Sequence, residues 1–139
     1  MAVRNAKATW EGGLREGHGS MKFGTFEGPY TWSSRFEESQ GTNPEELVGA
    51  AHAGCYSMAL SSGLGKAGFT PKHISTSATV HLDRVDGKAR ITQIHLETRV
   101  EVPGIGNDAF LKIAEDTKLD CPVSVALSGV EITLDAQLI

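Results

Sequence analysis

Between Asn43 and Ser62 the chain reads NPEELVGAAHAGCYSMALSS, with Leu47, Ala50, Ala51, Gly54, Cys55, Met58 and Ala59 recurring at three- and four-residue intervals. That period predicts a helix. Asn43 suits its cap, Pro44 its first position, and Glu45 and Glu46 its first turn, where exposed amides favour negative charge. Glu46 stands where a capping box would return to the Asn43 amide, which leaves Glu45 free for another partner. The other faces carry Val48, Gly49, His52, Ala53 and Tyr56 rather than charges. A helix apolar all round is expected to be buried, and Gly49, Ala50, Ala53 and Gly54 would let another backbone approach closely. It should run out between Gly63 and Gly68.

Elsewhere the pattern favours strands. Ala6–Trp10 and Lys22–Phe26, joined by the Gly-rich stretch from Glu11 to Ser20, read as a hairpin. Tyr30–Phe36 alternates after the turn Glu27-Gly28-Pro29 and reads as a third strand carrying Arg35 into the polar loop before Asn43. Ile74–Leu82 and Ala89–Val102 alternate around Asp86-Gly87-Lys88 and predict a long hairpin. Pro103-Gly104-Ile105-Gly106 ends it, and Asn107 or Asp108 should cap an amphipathic helix bearing Phe110, Leu111, Ile113 and Ala114. Pro122 can open a short third helix over Val123–Leu127, which places Cys121 at its cap. Val130–Leu138 closes the chain as a strand. The order βββ-α-ββ-α-α-β implies an α+β domain spanning 1–139, its strands wrapped around one or two long helices.

Charge and composition remove several function classes. Thirteen Lys and Arg against seventeen Asp and Glu give a net charge of −4 with no basic run, so neither nucleic acid nor an anionic membrane is an expected partner. No run of eighteen apolar residues exists and the first residues lack the apolar core of a signal peptide, so a cytoplasmic protein is expected. In that compartment two cysteines do not make a structural disulfide; a bond between them would be transient and chemical.

Cys55 and Cys121 are therefore candidate reactive thiols, weighed against the ordinary role of buried cysteines as core fillers. A reactive thiol needs positive charge or a helix N-terminus beside it. Cys55 lies about eleven residues into its helix, beyond the reach of the helix dipole, so it needs a cation. Arg35, flanked by Trp32 and Phe36, is the candidate, because guanidinium stays charged when partly buried and keeps donors for a second partner. Glu45 could hold it. Ten helical residues at about 1.5 Å each put roughly 15 Å between Glu45 and Cys55, so an arginine bound to one could not easily serve the other within one chain. Two such helices packed antiparallel would bring Glu45 of one copy toward Cys55 of the other. A zinc site built from His52, Cys55, Cys121 and one of His18, His73, His81 or His95 competes, although H-x-x-C carries little specificity. So does a non-enzymatic protein holding a small hydrophobic ligand near Tyr56, Met58 and Phe69, with both cysteines structural.

The segments GTNPEELVGAAHAGC and, sixty-six residues after its cysteine, CPVS resemble the OsmC/Ohr family of thiol-dependent peroxidases, and its OsmC branch in particular. ATWEGG, RFE, AGFTP, VPGI and EITLD extend the likeness over nearly the whole chain. The resemblance implies an OsmC-like fold in which antiparallel sheets wrap long central helices of an intertwined homodimer. It implies reduction of hydroperoxides, preferentially organic ones, by Cys55 as peroxidatic and Cys121 as resolving cysteine, with Arg35 and Glu45 in the site. No redox cofactor is called for; the partners are an organic hydroperoxide and a dithiol reductant, either a small dithiol or a lipoylated protein. Gly54 departs from the alanine that relatives often carry before the cysteine.

Overall fold

Strands β1 (Ala6–Glu11), β2 (His18–Phe23) and β3 (Phe26–Tyr30) open the computed structural model, which describes residues 1–139. They form an antiparallel sheet in the order β1-β2-β3, with Ala6 opposite Phe23 and Gly19 opposite Tyr30. Part of the stretch expected as a loop is thus strand, and the Lys22–Phe26 strand is broken at Gly24, where φ is +56°. Glycine is required at 19: a Cβ there would meet the Thr9 carbonyl at 2.4 Å and the rings of Tyr30 and Trp10 at 2.6 and 2.8 Å. The two rings close over it, 5.3 Å apart.

The strand expected over Tyr30–Phe36 stops at Tyr30, and Trp32–Phe36 is a short helix, α1. The reason is local. Thr31 Oγ1 accepts from the Ser34 amide and Ser34 Oγ accepts from the Thr31 amide, a reciprocal capping box that outweighs the strand-like alternation. Helix α2 (Pro44–Lys66) starts where expected: the Glu46 amide donates to Asn43 Oδ1 at 2.8 Å, while Asn43 Nδ2 donates to the Ser34 carbonyl at 3.0 Å. Met1–Leu47, including the start of α2, forms one compact unit, and Val48–Ile139 a second.

In the second unit β4 (His73–Val85) and β5 (Lys88–Glu101) pair antiparallel through the two-residue turn Asp86-Gly87. Both turn residues have positive φ, as such a turn needs. Helix α3 (Asn107–Asp120), helix α4 (Pro122–Ala126) and β6 (Glu131–Leu138) follow. Gly106, not Asn107 or Asp108, caps α3, and it does so without a side-chain bond. The long crossover through α3 and α4 lets β6 lie parallel to β5, so the sheet is mixed rather than wholly antiparallel, in the order β4-β5-β6.

The core of this unit is where helix and strand periods meet. His52, Tyr56, Leu60 and Leu64, four residues apart on α2, are each fully buried, as are Ile94, Leu96, Thr98 and Val100, two apart on β5, and Phe110 and Ala114 on α3. Burying each large apolar side chain stabilises by about 1.5–3 kcal/mol. Polar ties fix the layers: Tyr56 donates to the Ala114 carbonyl at 2.9 Å, and Ser57 donates to Thr76, which bonds Thr98. One expectation about α2 fails within a single chain. Its opposite face, with Ala50, Ala51, Gly54 and Met58, is exposed, Met58 to 79%.

Candidate active site

The first unit positions the cation. Arg35 lies in the last turn of α1 and Glu45 in the first turn of α2. Arg35 Nε donates to both Glu45 oxygens at 3.1 and 3.3 Å, and Nη2 donates to Oε1 at 2.8 Å. This forked contact fixes the plane of the guanidinium, which a lysine could not reproduce. Glu45 is largely buried, whereas the arginine side chain is 38% exposed and makes no other hydrogen bond, so donors remain for another group. Beside it a cavity of about 260 Å³ is walled by Trp10, Leu14, Tyr30, Trp32 and Phe36. Arg15 lies over the Trp32 ring at 3.8 Å.

The second unit positions the thiols. Cys121 is buried at the cap of α4, where Pro122 opens the helix and the Ser124 amide donates to the sulfur at 3.4 Å. Cys55, half-buried in the middle of α2, faces Cys121 and the Val123 backbone. Burial pushes the Cys55 thiol above its ordinary range; the Val123 backbone opposes this and Cys121 adds to it. Its own surroundings therefore hold Cys55 protonated, and a thiolate needs a cation brought to it. Nothing in the chain lies within 4 Å of a Cβ built on Gly54, so the glycine makes no room for a neighbour in its own chain.

Ser124 escaped the sequence reading, and His52, expected there as a zinc-ligand candidate, is placed differently. Ser124 Oγ lies 3.1 Å from Cys121 Sγ and 2.8 Å from His52 Nε2, which makes a buried chain Cys121–Ser124–His52. Burial lowers the His52 pKa, so the ring is neutral at neutral pH, and its Nδ1 has no partner. An orphan buried nitrogen of this kind costs about 1–3 kcal/mol, which an apolar residue in the same place would avoid. The available signal was the serine three residues after a capping cysteine. The alternatives do not assemble. No three His, Cys, Asp or Glu side chains converge on one point, and His95 is engaged with Thr133. Tyr56 is buried with its hydroxyl bonded, Met58 is exposed on another face, and Phe69 is half-buried against the core, so these three do not frame a ligand pocket.

Residues 37–135, which include Glu45, Cys55 and Cys121, match the family described as OsmC-like protein. Across 97% of this chain and 96% of the relative, the sequence is 51% identical to Peroxiredoxin OsmC of Escherichia coli (strain K12). The chain belongs to the OsmC family. A more distant relative, the Organic hydroperoxide resistance protein of Xanthomonas axonopodis pv. citri (strain 306), is 28% identical over 68% of this chain and 66% of its own length. The OsmC fold recurs in an OsmC-like protein from Mycoplasma pneumoniae (TM-score 0.77, 14% identity, 99% of this chain and 98% of that one). It recurs also in the organic hydroperoxide resistance protein OhrB of Bacillus subtilis (TM-score 0.69, 23% identity, 99% and 100%). Within this OsmC chain the paired thiols can exchange two electrons by joining as a disulfide, and the Arg35–Glu45 fork can present an oriented cation.

Proposed function

We propose that the chain is a thiol-dependent peroxidase that reduces organic hydroperoxides, and hydrogen peroxide more weakly. Cys55 as thiolate attacks the distal peroxide oxygen; the O–O bond breaks, an alcohol leaves, and Cys55 becomes a sulfenic acid. Cys121 displaces the hydroxyl to give an intrachain disulfide and water. A dithiol, either a small molecule or a lipoylated protein, then restores both thiols by exchange. The observation that carries this reading is the facing of half-buried Cys55 and buried Cys121 at the edge of the core. Membership of a family with peroxiredoxin and hydroperoxide-resistance members supports it.

Arg35 is the cation that holds the Cys55 thiolate and the peroxide, and Glu45 orients Arg35. The burial that pushes the Cys55 thiol up supports the need for that charge, and the apolar cavity beside the guanidinium supports an alkyl substituent on the peroxide. The working form is an intertwined homodimer of one OsmC-like domain per chain, with Arg35 and Glu45 of one subunit serving Cys55 and Cys121 of the other. Ten helical residues, about 15 Å, between Glu45 and Cys55 support this, as does the small-residue face of α2 left exposed in a single chain. No helix is long and apolar enough to cross a membrane; two free thiols suit the reducing cytoplasm.

Steady-state turnover of cumene hydroperoxide with a small dithiol tests the chemistry: Cys55→Ser should abolish it, and full activity in that variant would sink the reading. Co-expressed Cys55→Ser and Arg35→Ala chains test the assembly. A shared site leaves one intact site in each heterodimer and activity returns; a site within one chain leaves none.

A further inference from the structure

Cys121 is 1% exposed, so when it attacks it has no bulk water to take its proton. Besides facing Cys55, its sulfur bonds Ser124, and Ser124 bonds His52; these two are 4% and 0% exposed. We propose that Ser124 and His52 are the proton path of the resolving step: Ser124 Oγ takes the Cys121 thiol proton while handing its own hydroxyl proton to His52 Nε2. The inference rests on the reading of Cys121 as the resolving thiol.

The geometry supports transfer in this sense. A serine hydroxyl has one proton and two lone pairs, so it can accept from sulfur and donate to nitrogen at once. After the shift the polarity of the same two bonds reverses: imidazolium donates to Ser124, and Ser124 donates to the Cys121 sulfur, whose charge the Ser124 amide also faces. Nothing has to move but protons. Cys121 gives an electron pair to the Cys55 sulfenic sulfur, the S–O bond breaks, and hydroxide leaves. The hydroxide leaves from the less buried Cys55 and takes a proton from solvent to become water; His52 returns its proton through Ser124 when the disulfide is later reduced and Cys121 is a thiolate again, so over the cycle thiol plus sulfenic acid give disulfide plus water. Ser124 is the catalytic residue of this step, and His52, acting through it, is a positioning residue that also stores the proton.

Burial lowers the His52 pKa, so the ring is neutral and able to accept at neutral pH, and the same burial makes the imidazolium a short-lived carrier rather than a resting state. The titratable group joined to it is Cys121, reached through Ser124, and burial alone shifts it, with no carboxylate or cation contributing to its ionisation. With the path intact, the resolving rate depends weakly on pH through the neutral range. Without it, the step waits for a thiolate formed by solvent, and the rate climbs about tenfold per pH unit.

The experiment is rapid mixing of the reduced full-length protein with one equivalent of cumene hydroperoxide, quenched with dimedone at successive times and pH values. Mass spectrometry counts trapped sulfenic acid and disulfide. The readout is the ratio of the resolving rate to the peroxide-reaction rate in the same sample, which corrects for damaged folding. Ser124→Ala should lower the ratio about 10²-fold at pH 7 and steepen its pH dependence. His52→Gln, whose amide can reach Ser124 but cannot take up a proton, should show the same steepening with a smaller loss. Wild-type ratios in both variants, or a uniform loss with an unchanged pH profile, would overturn the proposal. Cys121→Ser separates the two levels: accumulation of sulfenic acid without disulfide supports Cys121 as resolver whatever the path, whereas wild-type turnover removes the step and overturns both.

Discussion

Arg35→Lys keeps the charge and removes the fork. In the native pair three N–H···O contacts, at 2.8, 3.1 and 3.3 Å, hold the guanidinium against Glu45 with other donors left over. A lysine nitrogen can satisfy Glu45 or face the peroxide and thiolate, but it cannot do both from one fixed plane. Charge-assisted hydrogen bonds of this type contribute about 1.5–3 kcal/mol each when desolvated. A lysine held on Glu45 would leave no donors for the peroxide and thiolate, and with the side chain 38% exposed, solvent screening limits the transition-state contribution of two such lost donors to about 1.5–3 kcal/mol in all. That corresponds to a fall of about 10- to 150-fold in kcat/KM. The effect on folding should be small, under about 1 kcal/mol, because the pair is partly wet. Steady-state kinetics with cumene hydroperoxide and thermal melting in parallel check both halves. Activity within twofold of wild type would refute the argument that guanidinium geometry matters; a large drop in melting temperature would show that Arg35 acts through folding instead.

Three further outcomes follow from the same geometry. Met58→Glu places a charge on the exposed face of α2; if a second copy covers that face, size-exclusion chromatography should show monomer and peroxidase activity should vanish together, and an intact dimer would contradict the assembly. The lowered His52 pKa means that below about pH 6.5 the unfolded chain binds the proton first, so stability is full above that value and declines as pH falls toward the folded pKa, by at most about 1.4 kcal/mol per pH unit. Melting temperatures over that window should show the decline in wild type and lose it in His52→Gln; an unchanged slope in the variant counts against the assignment. Cys121→Ser should oxidise once per subunit and then stall or over-oxidise to the sulfinic acid, read as added oxygen by mass spectrometry.

What the chain disclosed early and what it hid follow one physical line. The start of α2 was legible because Asn43, Pro44 and the two glutamates act within one turn, and Cys121 was placed at a cap because Pro122 announces a helix start. The β5 face was legible because a period of two requires no knowledge of the partner strand. Trp32–Phe36 was misread because Thr31 and Ser34 look polar in any conformation, and only their mutual hydrogen bonds make them a helix start. The parallel pairing of β6 with β5, set by the crossover, has no local signature. The same holds for the site. Arg35 and Glu45 could be paired from the chain because they flank one short loop, whereas His52 meets Ser124 across seventy-two residues and on the chain alone pointed to a zinc site.

The most direct test is peptide mapping of the full-length protein after one equivalent of cumene hydroperoxide, with iodoacetamide blocking residual thiols. The account predicts loss of two hydrogens per chain and a single cross-linked peptide pair joining Cys55 to Cys121, reversed by dithiol. Cysteines that remain free and alkylatable, or a disulfide that joins two copies of Cys55, would contradict it.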